Sequence, residues 1–318
     1  MEMNNRNIFI FVVAALLVAG AATAWWWQTS PSGEAYSFDP RQVEGYEALD
    51  TVTSTSWIMI DGATGMVLAE RDSQRQMYPA SMTKMMTCIL AIESGRLRDT
   101  ITIADNEADV MSTRVRSGDS YILRDLLDEM MLNSDNGAAL AVARHIGDGD
   151  TLRFYDKMNE KAAYIGMRNT HFANPHGLPD SLNYSTATDI AMLSQYCMND
   201  TTFANIVATI ERDVPLIDGR KQESHNSNLL LERYEGCHGI KTGFTNKAGG
   251  CLASVTTRNG RTIFLVVMHC SPAWKRIPNS ADLLDYGFNL VASPYISLRY
   301  VRPMNTYPLP WHPTVFRR

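Results

Sequence analysis

A serine and a lysine three residues apart open an otherwise apolar stretch, YPASMTKMMTCILAIESG, at residues 78–95. Pro79 precedes the apolar run, so we expect a helix that starts near Ser81 and carries Lys84 on the same face one turn later. A lysine desolvated beside other cations can lose its proton and activate a neighbouring hydroxyl. Free N–H groups at a helix start also suit a developing oxyanion. The pair indicates nucleophilic catalysis, but taken alone it favours a capping serine and a solvent-facing lysine.

Two further short patterns change that balance. S-D-N at residues 134–136 falls in a break between two helical stretches, where its serine and asparagine can point into a cleft; the alternative is helix capping. K-T-G at residues 241–243 falls on a predicted strand, where the glycine lets a substrate backbone approach closely; the alternative is an edge-strand lysine. S-x-x-K, S-x-N and K-T-G in this order, each in a suitable setting, predict one catalytic site.

The elements that must position these motifs come from distant parts of the chain. SWIMID (56–61) and MVLAE (66–70) predict a strand hairpin, and apolar residues from Leu123 to Met131 repeat with helical spacing. A second helix is expected from Ala138, and residues 150–236 are expected to be helical with loops. The segments GCHGIKTGF, GCLASVTTRNGRTIFLVVMHC and ADLLDYGFNLV then predict a strand, a hairpin and a closing helix. Strands at both ends of a helical middle indicate an α/β body with a helical insertion.

The first 27 residues differ from the rest, because residues 7–27 carry no charge and follow Arg6. One interpretation is a cleaved signal peptide, with an A-x-A site at residues 22–24; the other is an uncleaved membrane anchor flanked by Trp25, Trp26 and Trp27. Both place the body outside the cytoplasmic membrane. We expect a linker at 28–52, a catalytic domain at 53–293 and a Pro-rich tail at 294–318, so that any membrane attachment is N-terminal.

Composition and cysteine usage exclude several classes of function. The chain has 318 residues, 45% of them hydrophobic, and a net charge of −5, which offers no broad basic surface for nucleic acid. Five cysteines leave at least one without an intrachain disulfide partner. Cys88 and Cys197 lie in apolar helical patterns and are expected to be buried, whereas the other three lie in the strand-rich end. No spacing predicts a metal site, and no cofactor is expected.

The chain resembles the penicillin-binding D-alanyl-D-alanine carboxypeptidases, the low-molecular-mass serine type. The likeness covers about residues 54–290 and includes YPASMTKMMT, MMLNSDNGAALAVA, ANPHGLPDSLNYSTATDIAML and GIKTGFTNKAGGCLASVTTRNG. It implies a DD-peptidase/β-lactamase-like fold, an antiparallel sheet flanked by helices with a helical subdomain. It also implies removal of the terminal D-alanine from peptidoglycan stem peptides ending in D-Ala-D-Ala, and acylation by β-lactam antibiotics.

The resemblance implies a role for each motif residue. Ser81 corresponds to the nucleophile and Lys84 to its base. Ser134 helps pass a proton to the leaving D-alanine, and it orients the substrate together with Asn136.

The resemblance also implies a substrate-binding strand. Lys241 sets the electrostatics, Thr242 binds the terminal carboxylate, and the N–H groups of Ser81 and Phe244 beside Gly243 form an oxyanion hole. Arg276 falls where the family has an arginine that meets the same carboxylate; the alternative is a surface arginine. His176, in NPHGL, is interpreted as a structural loop residue.

Two other interpretations stay open. One is a related serine enzyme, either an endopeptidase that cuts peptide cross-links or a β-lactamase; against the latter, no glutamate between Ser134 and Lys241 lies in the E-x-x-L-N pattern of class A enzymes. The other is a penicillin-binding sensor or wall-associated structural protein that has lost catalysis, against which stand the intact motifs.

Overall fold

The computed structural model describes residues 40–293. The predicted signal or anchor, the first part of the predicted linker and the tail at 294–318 lie outside this range. Within it, no helix is both long enough and apolar enough to cross a membrane. From residue 40 the predicted linker is folded: Val43, Leu49 and Val52 are buried, and the short helix that contains Leu49 packs against the closing helix of the chain.

A five-stranded antiparallel sheet forms the centre of the described chain, in the order β2-β1-β9-β8-β7. It joins strands from both ends of the sequence, as predicted. The strands are β1 (Ser54–Asp61), β2 (Val67–Arg71), β7 (Cys237–Thr245), β8 (Gly249–Arg258) and β9 (Arg261–Cys270). The expected hairpins are confirmed, with β1 paired to β2 and β8 paired to β9.

Ten α-helices lie within residues 40–293. Their bounds are α1 (Ala48–Thr51), α2 (Lys84–Glu93), α3 (Asp105–Ala108), α4 (Leu123–Leu132), α5 (Asn136–Ile146), α6 (Thr151–Ile165), α7 (Ala187–Met198), α8 (Thr201–Ala208), α9 (Leu230–Arg233) and α10 (Arg276–Ala292). α10 packs on β8 and β9, and α7 packs on β1 and β9. Successive strand residues point to opposite faces. Accordingly, Met59 of β1 meets Gly287 of α10, whereas Ile58 and Ile60 belong to the main helical core.

α2 is the central helix of the helical region, because it packs against α4, α5, α6, α7 and α8. Seven of its ten residues are apolar, and eight of the ten are buried. A helix surrounded in this way is held by its neighbours and not by its own propensity. The first residue of α2, Lys84, is thereby fixed deep in the molecule.

Two small two-stranded sheets depart from the helical middle that the sequence predicts. β3 (Thr100–Thr102) pairs with β4 (Ser120–Ile122), and β5 (Glu211–Pro215) pairs with β6 (Lys221–His225). The prediction of a helical segment over residues 150–236 is therefore wrong at β5 and β6. Each of these strands has one buried residue, Val214 or Ser224, so the apolar alternation that identifies a strand is nearly absent.

Candidate active site

Ser81 lies in a 3-10 turn, Ala80–Thr83, that leads directly into α2. The Lys84 side chain is fully buried and turns back over this turn. Its Nζ lies 3.1 Å from Ser81 Oγ, and it also donates to Asn136 Oδ1 at 2.6 Å and to the His176 carbonyl oxygen at 2.8 Å. The S-x-x-K spacing thus brings the two side chains together as predicted, and the solvent-facing alternative for Lys84 is wrong.

The surroundings of Lys84 favour its neutral form. Burial lowers the pKa of Lys84 well below its ordinary value, and the nearby Lys241 charge lowers it further; Asp135 acts in the opposite direction and is the weaker influence. Desolvation disfavours an ammonium because it loses its hydration. The amine can therefore be a proton acceptor at a pH where an exposed lysine cannot.

The S-D-N motif joins α4 to α5 through a strained turn. Ser134 has φ of 62°, a left-handed conformation that is uncommon outside glycine and is a feature of functional sites. Asp135 caps α5 by accepting from Ala138 N, and it also accepts from the backbone N–H groups of Arg114 and Val115. The capping alternative therefore holds for the aspartate, and it leaves Ser134 half-buried beside the cleft.

Asn136 connects the two motifs of the helical region. Its Oδ1 accepts from Lys84 Nζ, while its Nδ2 donates to the Met111 carbonyl oxygen at 2.6 Å. Both ends of the amide are bound, which fixes its orientation. Asn136 therefore holds Lys84 in place as well as lying beside Ser134.

The K-T-G motif lies on β7, an edge strand that packs against the 3-10 turn of Ser81. Gly243 lets the turn pack closely, because a Cβ at this position would lie 3.1 Å from Ser81 N and 3.0 Å from the Ala80 Cβ and would push the two apart. Lys241 is buried, and within residues 40–293 its Nζ has no hydrogen-bond partner. Burial first, and the Arg276 charge second, lower the pKa of Lys241 to about 7.

The remaining predicted residues lie at the edge of the site. Phe244 follows Gly243 on β7 and exposes 54% of its surface. Arg276 begins α10, is half-buried, donates to the Ala273 carbonyl oxygen and is close enough to Lys241 to lower its pKa. The surface-arginine alternative therefore does not describe its position.

Three contacts at the site were not predicted from the sequence. Ser227 Oγ lies 2.6 Å from Thr242 Oγ1. The His176 carbonyl binds Lys84, although its imidazole has a pKa lowered to about 3 by burial and by the Lys84 charge. A Cβ on Gly177, which has φ of +87°, would lie 1.8 Å from the Ala80 carbonyl oxygen. The NPHGL loop thus supports the turn at Ala80–Thr83 through backbone contacts. Side-chain types in the sequence do not predict such contacts.

The five cysteines lie in helices and strands of the described chain. Cys88 and Cys197 are buried in α2 and α7 as predicted, and Cys237, Cys251 and Cys270 lie on β7, β8 and β9. All five thiols are free. Over residues 40–293, no group of three or more histidine, cysteine and acidic side chains is placed to hold a metal ion.

Comparison with known proteins agrees with this geometry. The chain is 35% identical over 245 residues to the D-alanyl-D-alanine carboxypeptidase DacB2 of Mycobacterium tuberculosis. The aligned part is 74% of this chain and 82% of that protein. It is 30% identical over 241 residues to DacF of Bacillus subtilis, again 74% of this chain but 62% of that relative, so the chain spans less than two thirds of the longer protein.

Solved structures show the same architecture. The Streptomyces K15 DD-transpeptidase superposes with a TM-score of 0.71 at 27% identity, covering 74% of this chain and 97% of that one. The sequence profile of the D-alanyl-D-alanine carboxypeptidase family matches residues 43–271, a span that holds all three motifs. The fold is therefore the DD-peptidase fold expected from the sequence, and the chain belongs to the D-alanyl-D-alanine carboxypeptidase family of serine peptidases.

Proposed function

We propose that this protein removes the terminal D-alanine from peptidoglycan stem peptides through an acyl-enzyme on Ser81. The observation that carries the proposal is the 3.1 Å contact between Lys84 Nζ and Ser81 Oγ, made by a lysine that is fully buried and has a lowered pKa. A hydroxyl beside a neutral amine has the base that it needs for attack at neutral pH.

In the acylation step, Ser81 Oγ bonds to the carbonyl carbon of the penultimate D-alanine while Lys84 takes the hydroxyl proton. The carbonyl electron pair moves to its oxygen, which the N–H groups of Ser81 and Phe244 stabilise. When the peptide C–N bond breaks, the leaving nitrogen receives a proton through the Ser134 hydroxyl, which is resupplied by the Lys84 ammonium. The products are a serine ester and free D-alanine.

In the deacylation step, Lys84 is neutral again and takes a proton from water as the water oxygen attacks the ester. The ester C–O bond breaks, and Ser81 Oγ recovers its proton from Lys84. Asn136 supports both steps by holding Lys84 through Oδ1.

The terminal carboxylate of the substrate is bound at the β7 side of the cleft. Lys241 is a buried cation whose Nζ has no hydrogen-bond partner within residues 40–293, and Arg276 is near it. Two adjacent cations with an incomplete hydrogen-bond shell favour an anion between them. Thr242 supplies a hydroxyl to the same carboxylate.

We further propose that the body lies outside the cytoplasmic membrane, where peptidoglycan is found. The uncharged residues 7–27 after Arg6 support this location. Sequencing the N-terminus of the mature protein tests it: intact residues 1–24 indicate an anchor, and a start near Trp25 indicates a cleaved signal peptide. Recovery of the full-length chain from the cytosol would contradict both.

The activity is tested by incubating the protein with a stem pentapeptide, a cross-linked peptide dimer and penicillin, with the products read by mass. We expect release of one D-alanine from the pentapeptide and a persistent penicilloyl adduct on Ser81. Repeated hydrolysis of penicillin as fast as the pentapeptide is trimmed would instead identify a β-lactamase. Cleavage of the dimer in preference to the pentapeptide would identify an endopeptidase, and labelling without any peptide cleavage a sensor.

A further inference from the structure

A cavity lies beside the segment that binds Asp135 of the S-D-N motif, and neither Ser81 nor Lys84 lines it. It has a volume of about 870 Å³ and is lined on one side by residues 113–117 and on the other by residues of β6 and the turn that precedes it. This volume is within the usual range of about 300–1,000 Å³ for a ligand site. The roles proposed above for the catalytic residues do not use it.

The charge of this cavity is positive although the chain as a whole carries −5. Four basic residues line it, Arg114, Arg116, Arg220 and Lys221, against the two acidic residues Asp119 and Glu223. Asp119 is already engaged by Arg220 at 2.5 Å, and Arg220 also pairs with Asp218 at 2.7 Å; the exposed Glu223 lies 3.1 Å from His225.

The other three basic side chains are weakly engaged. Lys221 makes an exposed 3.7 Å pair with Asp213, of a type that contributes little. No hydrogen bond or ion pair within residues 40–293 holds the exposed guanidinium groups of Arg114 and Arg116. Arg114 and Arg116 are therefore the two cations of the cavity that have no paired anion among residues 40–293.

We propose that this cavity binds a carboxylate-bearing stretch of peptidoglycan peptide, outside the residues that are cleaved. Guanidinium groups bind carboxylates through paired hydrogen bonds, and a wide cavity with several of them suits a flexible peptide with more than one free carboxylate. The proposal rests on the function proposed above, since that function supplies a substrate with such peptides.

The cavity wall also supports the catalytic motif. Thr113 Oγ1 accepts from Gly137 N at 2.8 Å, and the backbone N–H of Val115 donates to Asp135 Oδ2 at 3.2 Å. A ligand held by the side chains of this segment would therefore keep its backbone in the position that Asp135 and Asn136 require. Occupation of the cavity is expected to favour turnover of wall peptides over short peptides.

Direct binding tests the site separately from catalysis. The probe is N-acetyl-triglutamate, with N-acetyl-triglutamine amide as its neutral counterpart, titrated by calorimetry into protein whose Ser81 has been acylated with penicillin or replaced in Ser81→Ala. We expect triglutamate to bind, triglutamine not to bind, and the affinity to fall about tenfold in the double variant Arg116→Gln/Lys221→Gln. Arg153→Gln, which removes an arginine that is 58% exposed on α6, is the matched control and should not change the affinity.

Kinetics separate a failure of this proposal from a failure of the proposed function. A short acyl-D-Ala-D-Ala peptide without other carboxylates should be cleaved equally by the double variant and by the parent protein. A pentapeptide with two additional free carboxylates should lose about five- to tenfold in kcat/KM in the double variant. Equal kcat/KM for the pentapeptide in both proteins, or triglutamate binding that penicillin abolishes, would overturn the cavity site. Failure to cleave the short peptide at all would overturn the proposed function instead.

Discussion

Ser227 and Thr242 place their hydroxyl oxygens 2.6 Å apart, and through Ser227 this contact links the K-T-G motif to the end of α4. The backbone N–H of Ser227 donates to the carbonyl oxygen of Leu132, the last residue of α4 before the S-D-N turn. Each hydroxyl has one proton. If Ser227 donates to Thr242, the Thr242 proton is left to point at a substrate carboxylate. We infer that Ser227 donates and so positions the Thr242 hydroxyl.

Ser227→Ala tests this relationship. We expect kcat/KM for a pentapeptide with a free terminal carboxylate to fall about three- to tenfold, mostly through KM, because one hydrogen bond of about 0.5–1.5 kcal/mol is lost. The same peptide with an amidated terminus should be affected little, and Ser227→Thr should restore the parent value. Equal losses on both peptides would show that Ser227 only packs the loop.

Lys84→Arg separates the charge of Lys84 from its basicity. The guanidinium stays protonated at any usable pH, so it cannot accept the Ser81 proton. We expect acylation by penicillin to slow by about 10²–10⁴-fold, measured as the rate of the mass increase on the intact protein. Near-parent acylation in this variant would show that Lys84 is only an electrostatic partner. Circular dichroism of the variant provides the control for folding.

The pH dependence of kcat/KM should have two limbs of opposite sign. Lys84 must be neutral, so activity rises as pH increases through its lowered pKa; Lys241 must be charged, so activity falls as pH increases through about 7. Arg276→Ala removes one cause of the lowered Lys241 pKa and should move the falling limb to higher pH, besides weakening carboxylate binding. Arg276→Lys keeps the charge and should leave the limb in place. A falling limb that stays near pH 7 in Arg276→Ala would contradict the electrostatic link.

Local spacing was sufficient to predict the contact between Ser81 and Lys84, because residues i and i+3 of a helical turn share a face. Apolar runs in β1 and β9 likewise predicted the centre of the sheet. Local spacing could not predict that Ser227 meets Thr242, since a loop serine has no periodicity and the contact depends on how β6 joins the helical region. The polar hairpin of β5 and β6 was missed because each strand has one buried residue. The sequence therefore lacks the alternation of apolar and polar residues that predicts a strand.

Gly177 should be irreplaceable because of the backbone that it faces. Its φ of +87° is unfavourable for any other residue, and an added Cβ would lie 1.8 Å from the carbonyl oxygen of Ala80, next to Ser81. A backbone carbonyl cannot change rotamer to relieve this clash, as a side chain can. The NPHGL loop and the turn that holds Ser81 must therefore move apart. We expect Gly177→Ala to lower the free energy of unfolding by about 3–5 kcal/mol and to slow acylation of Ser81 in the fraction that remains folded.

Gly219→Ala is the matched control, since Gly219 has the same φ of +87° but faces open space. It should cost only the backbone strain, about 1–2 kcal/mol, and leave acylation unchanged. Urea unfolding and the rate of penicillin labelling measure the two effects. Equal losses of stability in both variants would show that φ alone matters at Gly177 and that the loop does not support the turn that holds Ser81.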